Sequence, residues 1–215
     1  VEGGPGTGKT RLIVSSIMKI IESSKIHRKT IPTILVCAMS NSCVDEIVEA
    51  LQKPAEKGKI KILRTGVVEK SNDNVYSLSL KKRADELSHQ MKISYKMAMS
   101  TVVKDSNVIL TTVNSSHELL KDINEVDVCF VDEASQLTEG ELLIPMQLKF
   151  KKMVLVGDQK QLQPNVSSRI LQDMRYNKSF FTRFTESFSD EANKPVLKLT
   201  EQFRMHPIIF SFPNT

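Results

Sequence analysis

The chain has 215 residues, 40% apolar and 26% charged, a balance that supports a packed core and excludes a disordered chain. Its net charge of +5 leans toward a polyanionic partner, with basic residues grouped at Lys57, Lys59, Lys61, at Lys81, Lys82, Arg83 and at Lys149, Lys151, Lys152. No apolar run approaches the ~18 residues of a membrane-spanning helix. Cys37, Cys43 and Cys129 show neither C-x-x-C spacing nor a paired histidine pattern, so Cys37 and Cys129 read as small core residues of an intracellular protein, nuclear or cytoplasmic.

The chain opens on GGPGTGKT, Gly3 to Thr10, which fits the pattern G-x-x-x-x-G-K-[ST]. Its glycines let the backbone curl so that successive N–H groups face phosphate oxygens, and the helix that follows adds its positive end. Candidate phosphate-binding residues are Gly3, Gly6, Thr7, Gly8, Lys9 and Thr10. Lys9 would reach the β- and γ-phosphates, and the Thr10 hydroxyl would ligate Mg²⁺. Val1 is not Met, and the strand that should precede this loop is missing, so the sequence reads as a fragment of a longer protein.

RLIVSSIMKII then places Ile13, Ile17, Ile20 and Ile21 at helical spacing. TILVCA, Thr33 to Ala38, is a short β-branched strand with no polar face. SNSCVDEIVEAL follows as a helix with Val44, Ile47, Val48 and Leu51 on one side and Ser40 or Asn41 as its cap. KIKIL, Lys59 to Leu63, alternates like a strand. Residues 65–106 are polar and lysine-rich; SLKKRADELSHQMKISYKMAM predicts a long exposed helix, and the stretch reads as an inserted stalk or small subdomain. Buried strands resume at Asn107–Val113, Val126–Glu133 and Lys152–Asp158, with a last one, VLKL, at Val196–Leu199. Strands alternating with helices predict an α/β fold, a parallel sheet flanked by helices on both faces, built from 1–64 and 107–199.

Four strands end in residues with chemistry. VCFVDEASQ delivers Asp132 to the C-terminal edge of the sheet, where ligands of open α/β sheets bind. Asp132 can hold Mg²⁺, and Glu133 can orient and deprotonate a water aimed at the γ-phosphate. VLVGDQKQLQP brings Asp158, Gln159 and Gln161 to the same edge, and Gln161 could sense the γ-phosphate. AMSNSC and LTTVNSS supply Ser40 and Asn41, and Thr111, Thr112, Asn114 and Ser115. Their short hydroxyl and amide side chains suit a sugar-phosphate backbone, and equally suit helix caps.

GGPGTGKT, AMSN, LTTVNSS, VDEASQ, LVGDQKQLQP and LTEQFRMHP, in that order, resemble the motifs of superfamily 1 helicases. The specific likeness is to the 5′-to-3′ branch that includes the nonsense-mediated-decay helicase and senataxin. The resemblance implies a RecA-like P-loop NTPase, the first motor domain of an ATP-driven translocase on single-stranded RNA or DNA. By motif match, Lys9 and Thr10 bind phosphate and Mg²⁺, Asp132 is the second Mg²⁺ ligand, Glu133 the base and Gln161 the γ-phosphate reader. Ser40, Asn41, Thr112, Val113 and Asn114 lie along the nucleic-acid track, Gln202 and Phe203 border the nucleotide, and Arg204 reaches the γ-phosphate. Gly4 and Met39 stand where the branch usually has proline, and Phe203 where it has tyrosine; none removes a catalytic group. Residues 200–215 would begin a second RecA-like domain, and without the arginine that such a domain supplies the chain alone is expected to be near-inactive. The alternative is a nucleotide-dependent nucleic-acid-binding module that does not unwind. No motif reads the 2′-hydroxyl that separates RNA from DNA.

Overall fold

The computed structural model describes residues 1–27, 30–58, 60–68, 72–188 and 195–206. Strand β1 (Glu2–Gly3) runs into the glycine loop, and helix α1 (Lys9–Ile26) begins directly after it. Then come β2 (Ile34–Ala38), α2 (Asn41–Gly58) and β3 (Ile62–Arg64). Three helices follow, α3 (Asp73–Ser77), α4 (Leu80–Met91) and α5 (Tyr95–Lys104), before β4 (Val108–Thr112) and β5 (Glu125–Val131). The last elements are α6 (Glu139–Leu142), β6 (Lys149–Leu155), α7 (Arg169–Asp173), α8 (Phe180–Glu186) and β7 (Lys198–Leu199).

The strand order is β3-β4-β2-β5-β6, with every neighbouring pair parallel. β1 pairs in parallel with β7, and a bridge from Glu2 to Gly157 joins that pair to the end of β6. The α/β class expected from the alternation is therefore what the chain adopts. Every residue of β2 and β4 is buried, as central parallel strands require. Successive side chains of β2 go to opposite faces. Ile34 and Val36 meet Ile13, Ile17 and Ile21 of α1 and Val44, Ile47 and Leu51 of α2. Leu35 and Cys37 meet Cys129 and Val131 of β5, Val103 of α5 and Phe181 of α8. Each fully buried aliphatic side chain contributes about 1.5–3 kcal/mol by removal from water. Cys37 and Cys129 are core residues, as expected; the adjacent Cys129 thiol, with full burial, holds the Cys37 thiol well above its ordinary range. Among the described residues no helix is long and apolar enough to cross a membrane.

Three expectations need correction. The long helix of the inserted stretch is a hairpin of α4 packed on α5. Lys92 turns left-handed (φ 52°) with its N–H on the Ser88 carbonyl, and Ser94 restarts the helix by accepting the Met97 N–H. Ala84, Ala98 and Val103 are buried, and Arg83 donates to the Ile62 carbonyl at 2.6 Å, so the hairpin is seated on the core beside β3. The strand expected at Lys59–Leu63 is Ile62–Arg64, and that expected at Val196–Leu199 shortens to its last two residues. Lys59 lies outside the described residues, as does the chain from Pro207, part of the stretch expected to begin a second domain.

Candidate nucleotide site and nucleic-acid track

The glycine loop leaves β1 and wraps over the start of α1. Gly6 (φ 73°) and Gly8 (φ 88°) are left-handed, and Gly8 caps α1 with no side chain. The first-turn N–H groups of α1 therefore face the loop, and no acidic residue lies in that turn to compete for them. Thr7 Oγ1 donates to the Gly4 carbonyl at 2.8 Å, tightening the curl. Lys9 folds back over it, with Nζ 3.0 Å from the Gly3 carbonyl, 3.4 Å from that of Gly4 and 4.0 Å from Glu133 Oε1.

Strand β5 delivers the acidic pair. The Asp132 N–H bonds the Cys37 carbonyl at 2.8 Å, so its position is set by the sheet itself. Glu133 is left-handed (φ 52°), uncommon for a non-glycine residue, and its N–H donates to Asp132 Oδ1 at 2.9 Å. That turn brings the Glu133 carboxylate within reach of Lys9 and, at 3.3 Å, of Gln136 Nε2. Burial pushes Asp132 from the ordinary 3.8 up to about 6; the charges of Glu133 and Glu46 add to this, while the Glu133 N–H and Lys9 oppose it.

A folded-state value above the unfolded one means that ionised Asp132 lowers stability above about pH 6. The deficit is relieved as pH falls through 6 toward 3.8. Asp132→Asn keeps an acceptor for the Glu133 N–H and removes the charge. In Mg²⁺-free buffer it should be more stable than the parent at pH 7.5 by about 1–3 kcal/mol, and most of that gain should be gone by about pH 4. Urea melts at the two pH values check this; equal stability of parent and variant at pH 7.5 would contradict it.

The loop after β6 adds Gln161, whose Nε2 donates to Asp158 Oδ2 at 2.8 Å. Asp158 is itself held by the Ser135 hydroxyl (3.2 Å to its N–H), which ties this loop to the Asp132 loop. Gln159, by contrast, points to Thr185 on α8.

The segment after β7 packs on the glycine loop. The Phe203 N–H donates to the Gly6 carbonyl at 2.8 Å. A Cβ on Gly6 would sit 2.6 Å from Arg204 Cβ, so a larger residue there would displace one segment or the other. Gln202 does not border the cavity. Its Oε1 accepts from the N–H groups of Arg204 (3.1 Å) and Met205 (2.8 Å) and its Nε2 donates to the Met205 carbonyl, so it closes its own turn. Phe203, 75% exposed, and Arg204 do border it.

These four stretches form a cavity of about 380 Å³ lined by residues 4–9 of the glycine loop, Thr10, Asp132, Glu133, Gln161, Phe203 and Arg204, whereas Gly3 lies in β1 and is not among its lining residues. Arg11 and, from α2, Cys43 and Glu46 also line it and were not anticipated. Cys43 and Glu46 are three apart and share a helix face, a signal readable once α2 is known to start at this edge.

The second group lies across the start of α2. Ala38 and Thr112 are register partners on β2 and β4, so the residues that follow them are neighbours. Ser40 Oγ accepts the Cys43 N–H at 3.2 Å and caps α2, and Asn41 is exposed. Thr112 Oγ1 donates to Ser115 Oγ at 3.1 Å and accepts the Ser115 N–H at 3.3 Å. Val113 is buried with its N–H on the Ala38 carbonyl, so it offers a partner no side chain, whereas Asn114 is exposed.

A family model described as AAA domain matches residues 1–96 and 69–169. The chain belongs to this family. The AAA-domain chain is 32% identical over 213 residues to the probable helicase MAGATAMA 3 of Arabidopsis thaliana, covering 91% of this chain and 25% of that protein. It is 28% identical over 312 residues to the probable helicase senataxin of Mus musculus, covering all of this chain and 12% of that protein. It is 28% identical over 241 residues to the ATP-dependent helicase upf1 of Schizosaccharomyces pombe, covering all of this chain and 25% of that protein. The AAA-domain chain is thus a superfamily-1-like relative of the senataxin and upf1 group and spans a quarter or less of these relatives' lengths.

Proposed function

We propose that this domain is the ATP-hydrolysing motor of a helicase that moves on single-stranded RNA or DNA. The observation that carries the reading is the convergence of Lys9, Thr10, Asp132, Glu133, Gln161 and Arg204 on one cavity from four separate stretches of chain. The donor set fits a nucleoside triphosphate with Mg²⁺. Uncapped helix N–H groups and Lys9 match phosphate oxygens, while the Thr10 hydroxyl and Asp132 carboxylate are hard oxygen ligands. Mg²⁺ held by Thr10 and Asp132 would neutralise charge on the phosphates and polarise a phosphoryl oxygen.

Lys9 holds the terminal phosphates by charge. Glu133 accepts a proton from the attacking water at its carboxylate. Gln161, pinned by Asp158, reports the γ-phosphate through its amide. Arg204 stabilises negative charge that grows during transfer. Ser40, Asn41, Thr112 and Asn114 contact the sugar-phosphate backbone, with Val113 supplying main chain alone. In the complete protein a second RecA-like domain would close over the cavity.

The test is ATP hydrolysis by the complete protein with and without matched single-stranded RNA and DNA, followed by strand displacement. Stimulation by either strand together with displacement is expected. Hydrolysis unaffected by both strands would sink the motor reading, and stimulation without displacement would favour a binding module.

A further inference from the structure

Arg64 closes β3 and is 0% exposed. Its Nε meets Asp45 Oδ1 at 2.7 Å, which suffices to neutralise a buried cation, and a lysine could do as much. The rest of the guanidinium does something else. Nη1 donates to the Thr65 carbonyl, and Nη2 donates to Asn41 Oδ1 at 2.9 Å and to the Val67 carbonyl at 3.2 Å. We infer that Arg64 is a positioning residue for nucleic-acid binding, holding Asn41 and the 65–67 loop from behind; this rests on the nucleic-acid reading of that edge.

The argument is one of polarity. A guanidinium has donors and no acceptor, so the Asn41 amide must present its oxygen inward and its NH₂ outward. Asn41 is exposed at the first residue of α2, where an unpaired amide would rotate in water. Arg64 thus fixes two N–H donors at the sheet edge, and a nucleic-acid backbone presents acceptor oxygens there. The same guanidinium grips the loop containing Gly66 (φ 89°). A Cβ on Gly66 would lie 3.1 Å from Ser115 Oγ, so the loop backs directly onto the Thr112–Ser115 turn. One buried cation therefore sets both halves of the track, and only a fork with several donors can do so.

The test is anisotropy of fluorescent 15-nucleotide RNA and DNA strands with the complete protein. Arg64→Lys keeps the charge and loses the fork; its affinity should fall roughly fivefold, and that of Asn41→Ala roughly tenfold. Because Arg64 acts through Asn41 and also through the 65–67 loop, the double variant should bind more weakly than Asn41→Ala alone but fall well short of the roughly fiftyfold product of the two effects. Multiplying effects would overturn the inference. Asn41→Asp retains the acceptor toward Arg64 but turns an oxygen outward. It should weaken binding at least about tenfold without lowering the thermal midpoint, since the carboxylate pairs with Arg64, and it tests the outward donors if Arg64→Lys does not fold. Affinity of Asn41→Asp within about twofold of the parent would refute the positioning role while leaving the nucleic-acid reading intact. A parent protein that binds neither strand would remove both.

Discussion

Glu133→Gln should leave nucleotide affinity essentially intact and lower turnover by about 10²–10⁴-fold, the range a positioned general base contributes. The replacement has the same shape, and an amide oxygen can still accept from Gln136 Nε2, so the left-handed turn that follows Asp132 should persist. What disappears is the proton acceptor. Removing a negative charge 4.0 Å from Lys9 Nζ should, if anything, favour a polyphosphate. Fluorescent-nucleotide titration and steady-state hydrolysis in the complete protein separate the two effects. Near-normal hydrolysis would end the assignment of Glu133 as base.

Arg204→Ala should cost about 10³-fold or more in turnover, the scale on which an arginine at a transferring phosphoryl group acts. The turn that carries it is held by main chain and by Gln202, and the Phe203 N–H to Gly6 bond does not involve the arginine side chain. Truncation should therefore leave the loop and the thermal midpoint in place. Arg204→Lys should rescue little, because a single ammonium lacks the planar fork. Turnover of the alanine variant close to that of the parent would show that Arg204 serves the fold of the loop and not the reaction.

Much of the architecture was legible because the central strands are buried on both faces. Runs such as TILVCA and NVILTTV have no polar face to confuse with a helix. The buried side of α2 was legible for the complementary reason, since Val44, Ile47, Val48 and Leu51 recur at helical spacing and all four are buried. The reversal at Lys92 was not, because a left-handed lysine carries no composition signal of the kind glycine does, and the Ser94 cap is a single residue. In the candidate site, the strand-end residues were readable from chain order: a parallel sheet sends every strand's C-terminal end to one edge. Gln202 was read as facing the nucleotide because side-chain bonds to the next three residues leave no trace in a motif. Arg64 escaped notice for a similar reason. Its partners lie 19 and 23 residues back in the chain, and an arginine ending a short strand looks like a surface residue until its burial is known.

The pairing of β1 with β7 has a kinetic consequence. Glu2 and Gly3 are held by Gly157 and by Lys198 and Leu199, partners more than 150 residues away, whereas β2, β4 and β5 find neighbours much nearer in the chain. Closing so long a stretch gains little until the rest of the sheet exists to receive it. During synthesis the glycine loop, although made before the strands that hold it, would be anchored last. The emerging chain would then complete its hydrophobic sheet before it possesses a place for a nucleotide, and nucleotide capture would report that folding has finished.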